Sequence, residues 1–112
     1  MAKFHKLDAG RLLADVADEY AFRCNDGGIF RNMRELRDGL EDISDETFIF
    51  HANAEKNDFS SWVKDIVEDG KLARDLVKAQ SRLQAAKSVA ARVSSLSAKL
   101  EPMADKLKEL TA

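Results

Sequence analysis

From Lys71 to Ala112 the chain contains no glycine and a single proline, Pro102. Apolar or small residues recur along it at alternating spacings of four and three: Leu72, Leu76, Ala79, Leu83 and Ala86, then, after a slip, Val89, Val93, Leu96, Leu100, Met103, Leu107 and Leu110. A repeat close to 3.5 residues keeps these side chains on one side of an α-helix. The segment therefore predicts one helix of roughly 30 residues, about 45 Å long at 1.5 Å per residue, with a kink or restart near Pro102, whose ring removes a backbone donor. A helix cannot bury its own stripe. The stripe must find a second surface, either on this chain or on another.

The first 70 residues have to supply that surface if no partner does, and their charge is opposite in sign. They hold 16 acidic against 9 basic residues, net −7, whereas residues 71–112 hold 4 against 9, net +5. Such asymmetry fits either an attraction between an acidic head and a basic tail or a basic tail offered to an acidic partner. With 112 residues, 45% of them hydrophobic and 34% charged, there is enough apolar surface for one modest core but not for an enclosed substrate cavity as well.

Local signals divide the head into short elements. Leu12, Leu13, Val16 and Tyr20 lie at helical spacing within residues 8–20, opposite Asp15, Asp18 and Glu19. Residues 20–24 alternate as a strand does, Asn25-Asp26-Gly27-Gly28 suits a tight hairpin turn, and residues 28–31 form the return strand. Asn32 with Glu35 reads as a capping box before a helix carrying Met33, Leu36, Leu40 and Ile43. Ser44 or Asp45 caps the next segment, for which helix is preferred over strand, and Asn57 or Asp58 caps a helix whose apolar face is Phe59, Trp62, Val63, Ile66 and Val67. A turn follows at Glu68-Asp69-Gly70. The expected fold is α+β and mostly helical, with a short β-hairpin, several short helices and one long C-terminal amphipathic helix. It divides into a compact acidic head, residues 1–70, and a basic helix, residues 71–112.

The lone cysteine, Cys24, excludes an intramolecular disulfide and fits a reducing compartment. The N-terminal residues lack the apolar run of a secretory signal, and no apolar stretch approaches the roughly 18 residues of a membrane span. A cytoplasmic protein without a membrane association is expected.

The run His51-Ala52-Asn53-Ala54-Glu55-Lys56-Asn57-Asp58-Phe59-Ser60-Ser61-Trp62-Val63, followed by Asp65-Ile66 and Leu72-Ala73, resembles the central block of a family of small uncharacterised prokaryotic domains, mainly archaeal, with an H-x-N-x-x-K-N-D-F-x-x-W core. Similar blocks look like accessory segments of larger proteins, including enzymes of phosphoenolpyruvate synthesis type. The likeness covers roughly residues 20–80, and the family commonly has glycine where this chain has Glu68. The resemblance implies a fold and a modular character, and no activity.

Several constellations invite a chemical reading. His51 with Asp58 and Ser60 or Ser61 has the composition of a catalytic triad, but no strained nucleophile turn accompanies it and first-turn hydroxyls commonly bond the backbone. His5, Cys24 and His51 lack the close-spaced pairs of a zinc site, so no metal or other cofactor is expected. Gly27-Gly28 lies outside any phosphate-loop pattern. His51, Asn57, Asp58, Phe59 and Trp62 form a possible ligand notch, or else caps and core. Lys71, Arg74, Lys78, Arg82, Arg92 and Lys99 share about a third of the circumference of a continuous helix, with Lys87 off the row, and such a row suits a phosphate backbone.

These observations point to a non-enzymatic module for protein–protein interaction or oligomerisation. Its contact seam would be Leu83, Val89, Val93, Leu96, Leu100, Met103 and Leu107, meeting a second copy or a helical partner, the alternative being that the seam folds back on its own head. A nucleic-acid-associated protein using the basic row is a second reading, and a small regulatory ligand-binding module at the Asn57–Trp62 block a third.

Overall fold

A computed structural model describes residues 6–100. In chain order they form α1 (Lys6–Leu13), a 3₁₀ turn (Asp18–Tyr20), β1 (Phe22–Arg23), β2 (Ile29–Phe30), α2 (Met33–Asp42), α3 (Asp45–His51), α4 (Asp58–Trp62), a π-helical turn (Val63–Val67), α5 (Gly70–Lys78) and α6 (Arg82–Leu100). The fold is the expected α+β one, mostly helical with a two-stranded antiparallel hairpin and, last among the described elements, a long helix.

The helix starts lie where side chains supply the missing acceptors. Asn32 Oδ1 accepts the Glu35 amide at 2.8 Å while Glu35 Oε1 accepts the Arg31 amide at 2.8 Å, so two orphan donors are satisfied reciprocally. Ser44, Asn57 and Asp69 accept the amides of Thr47, Ser60 and Leu72 in the same manner. In the hairpin Phe22 pairs with Phe30 and Arg23 with Ile29. Gly27 turns the chain at φ 99°, and Asp26 Oδ1 accepts the Gly28 amide.

Two departures from the sequence reading matter for function. The first helix stops at Leu13, well before Tyr20, because the Val16 amide donates to the Arg31 carbonyl at 2.8 Å and Asp15 accepts from Asn32. Pairing beside the hairpin outweighs helical propensity there, and Tyr20 ends up exposed. The second departure is larger. The helix expected to run unbroken from Lys71 is two helices, parted at residues 79–81. Ser81 Oγ accepts the Gln84 amide at 3.1 Å, and Gln84 Oε1 accepts the Gln80 amide at 2.7 Å. This is a capping arrangement that begins a helix afresh without glycine or proline. The break expected near Pro102 lies outside the described residues, as do Met103 and Leu107 of the seam.

After the turn α6 runs back along α5, bringing Arg92 to Asp69 at the start of α5, and it packs across α1, α2 and α5. Val89 and Leu96 are fully buried, with Val93 and Ala85 nearly so, against a core containing Met33, Leu36, Leu40, Leu72 and Leu76. Fully burying an aliphatic side chain of this kind contributes about 1.5–3 kcal/mol. Head and C-terminal segment therefore share one core. A second, aromatic layer lies beneath the hairpin, where the Phe22 ring packs on Phe30, Phe59 and Trp62 at centroid distances of 5.9, 4.9 and 6.0 Å. Gly39 permits it: a Cβ there would run into the Phe30 ring.

Candidate functional site

The polar constellation around His51 is drawn inward from three directions. Its ring is 5% exposed and sits edge-on to Phe22 at 5.1 Å. Nε2 accepts the Asn25 amide of the hairpin at 2.9 Å, and Nδ1 lies 3.0 Å from Asp58 Oδ2. An accepting Nε2 leaves the proton on Nδ1, so a neutral ring donates to Asp58. Burial alone lifts the Asp58 carboxyl, but the hydrogen bonds from His51 and Lys56 outweigh it and hold the group below the usual carboxylate value.

A triad would need Nε2 to face a nucleophile. Here it is occupied by a backbone amide, Ser60 Oγ donates to the Ala73 carbonyl at 2.8 Å in a buried position, and Ser61 is exposed. His51 thus ties the hairpin turn to the first turn of α4. The rest of the block is engaged in the same way. Asn57 caps α4 and donates to the Leu76 carbonyl at 3.2 Å, Phe59 is buried, and Trp62 Nε1 donates to the Tyr20 carbonyl at 2.7 Å. The five residues of the suggested notch are brought together, as caps, ties and core.

Burial pushes the Cys24 thiol up, with the Asp26 carboxylate adding to it, while the Gly28 amide and the Cys24 thiol hold Asp26 below its ordinary range. Among the described residues no group of three or more His, Cys, Asp or Glu is placed to hold a metal ion. His5 lies outside those residues.

The turn at residues 79–81 divides the basic row, leaving Lys71, Arg74 and Lys78 on α5 and Arg82, Arg92 and Lys99 on α6. Arg82 binds the carboxylate of Asp45 at 2.8 Å and the carbonyls of Leu40 and Glu41 at 2.9 Å, closing the C-terminal end of α2. Arg92 clamps Asp69 through Nε at 2.7 Å and a terminal nitrogen at 3.2 Å. Head acids and tail cations attract one another inside the chain, and the single continuous row read from the sequence does not form. Lys87, placed off that row, shares a cleft of about 330 Å³ with Lys71, Asp75 and Arg92.

The apolar seam is apportioned likewise. Val89, Val93 and Leu96 are buried against the chain itself, Leu100 is half-buried near Gly10, and Leu83 is exposed. An exposed apolar surface lies elsewhere. Ile49 on α3 and Val77 on α5, 58% and 65% exposed, line one groove of about 210 Å³ together with Phe48, Ala52 and Ala79. Both residues sit beside, and out of phase with, the buried positions of their helices, Phe48 and His51 on α3 and Leu72 and Leu76 on α5. The sequence carries that phase mismatch, since Ile49 and Val77 fall out of step with the apolar periodicity of their helices.

Compared with protein-family models, curated proteins and solved structures, the chain matches none. Among the described residues no helix is long and apolar enough to cross a membrane.

Proposed function

We propose that this chain is a non-enzymatic protein-interaction module whose contact surface is the outward side of α3 and α5 rather than the apolar seam of α6. One observation carries the reading: Ile49 and Val77, each more than half exposed, line the same groove, whereas Val89, Val93 and Leu96 are already covered. Single exposed apolar residues are ordinary on a protein surface, and it is their joining into a contiguous patch that suits a contact site. The modular character implied by the resemblance of residues 51–63 agrees with this. The lone buried thiol agrees with a cytoplasmic setting.

The nucleic-acid reading is weakened by the loss of a continuous row and by the intrachain pairing of Arg82 and Arg92. A ligand module at Asn57–Trp62 is weakened by the internal engagement of those side chains. Self-association through the α6 seam would require Val89, Val93 and Leu96 to leave the core.

Quantitative capture from native extract tests the proposal. The wild-type chain, Ile49→Asp/Val77→Asp and, as a control on another surface, Tyr20→Asp are compared after confirming equal thermal melts. The proposal expects a set of proteins retained by wild type and Tyr20→Asp and lost on the double variant. Identical capture by all three contradicts it.

A further inference from the structure

Val77 does not stand alone on the outward face of α5. Arg74 lies one turn before it on the same side of the helix and is likewise exposed. Across from them Lys64 projects from the π-helical turn, and Ser61, Lys64, Arg74 and Val77 line a depression of about 480 Å³ that meets the Ile49 groove at Val77. Lys64 and Arg74 make no ion pair among the described residues, in contrast to Lys71, Arg82 and Arg92. The neighbouring acids are already matched: Glu68 by Arg11, Asp69 by Arg92 and Asp75 by Lys71. Asp65, next to Lys64, does not line the depression. Two exposed apolar side chains, Ile49 on α3 and Val77 on α5, are thus flanked by the cations Lys64 and Arg74, which have no counter-charge among the described residues.

We infer that the occupant of this surface is a short acidic amphipathic segment of another protein. The inference rests on the protein-interaction reading above and adds the chemistry of the partner. Large apolar side chains of the segment cover Ile49 and Val77, and its carboxylates meet Lys64 and Arg74, the guanidinium of Arg74 accommodating a carboxylate through two parallel N–H donors. A phosphate backbone would satisfy the cations but bring nothing apolar to Ile49 and Val77, and the depression contains no aromatic side chain on which a base could stack. Along α5 the surface extends over nine residues or about 13 Å, a stretch that two to three turns of helix or about four extended residues span. Charge pairs at such a rim govern orientation and encounter rate and weaken with salt, while the apolar centre does not.

Selection from a displayed random-peptide library on the immobilised full-length chain, at about 50 mM salt so that screening is weak, supplies a probe. The expected sequences carry two large apolar residues flanked by Asp or Glu. A synthetic copy of the most enriched peptide should lose about tenfold in affinity on Lys64→Glu/Arg74→Glu and at least as much on Val77→Asp, with thermal melts unchanged. Peptides that depend on Val77 but are neutral or basic, and are indifferent to the charge reversal, overturn the acidic partner and leave the interaction surface standing. Failure to enrich any peptide sensitive to Ile49→Asp or Val77→Asp overturns both. Binding of duplex DNA or phosphatidylserine vesicles that charge reversal abolishes and no selected peptide displaces assigns the cations to phosphate and also overturns the inference.

Discussion

The carboxylate of Asp69, 1% exposed, receives Nε and a terminal nitrogen of Arg92 at 2.7 and 3.2 Å while its Oδ1 also caps α5 through the Leu72 amide. One side chain thereby starts a helix and fastens the next helix to it. The pair closes the α5–α6 hairpin at the end opposite its turn, and it joins the acidic head to the basic C-terminal segment.

Removing Asp69 takes from Arg92 the buried carboxylate it clamps and from α5 its cap. Asp69→Ala is expected to destabilise the chain by about 3–5 kcal/mol, of which the lost cap accounts for about 1 kcal/mol. Asp69→Asn combined with Arg92→Met keeps a capping oxygen and removes both charges, and should recover roughly half of that loss. Urea denaturation of the three proteins checks the order.

Glu68 adopts φ 69° and ψ 39°, a left-handed conformation that costs a non-glycine residue about 1–2 kcal/mol. Glu68 gains an exposed ion pair with Arg11 at 3.1 Å, a contact of about 0–1 kcal/mol. Glu68→Gly should therefore be at least as stable as the wild type, whereas Glu68→Ala loses the pair, keeps the strain and is less stable than both. Midpoints of urea unfolding measure the difference, and a glycine variant weaker than the alanine variant would refute the assignment.

Acid should loosen the tie between the hairpin and α4. The folded-state value of Asp58 is depressed below the unfolded one, so its contribution is complete above the unfolded value and disappears as pH falls through the folded one. Protonated Asp58 no longer accepts freely from His51 and Lys56. Between about pH 4.5 and 2 the melting temperature of the wild type should fall more steeply than that of Asp58→Asn. Parallel curves would show that the His51–Asp58 contact contributes nothing to stability.

The legible parts of this fold are those written locally. Asn32, Ser44, Asn57 and Asp69 each announce a helix within three residues of the amide they accept, and Asn25-Asp26-Gly27-Gly28 announces a turn. The α5–α6 break is equally local, in Ser81 and Gln84, but without glycine or proline it is masked by the unbroken helical periodicity around it. The end of α1 was not local at all, since it depends on an amide of residue 16 meeting a carbonyl of residue 31. The destination of the α6 stripe was undetermined for the same reason: periodicity states that Val89, Val93 and Leu96 need covering, and only the packing of α1, α2 and α5 states what covers them. The surface centred on Ile49 and Val77 was recoverable from the sequence as large apolar residues out of step with their own helices.

Thermal melting of Leu96→Asp beside Val77→Asp tests most directly that the seam of α6 is core and the outward face of α5 is surface. Both substitutions place a carboxylate on an aliphatic position, one fully buried and one 65% exposed. Leu96→Asp is expected to abolish the cooperative transition at neutral pH, and Val77→Asp to leave the melting temperature within about 2 °C of wild type. A folded Leu96→Asp protein melting near the wild-type temperature would contradict this, because it would mean that α6 does not depend on its own head.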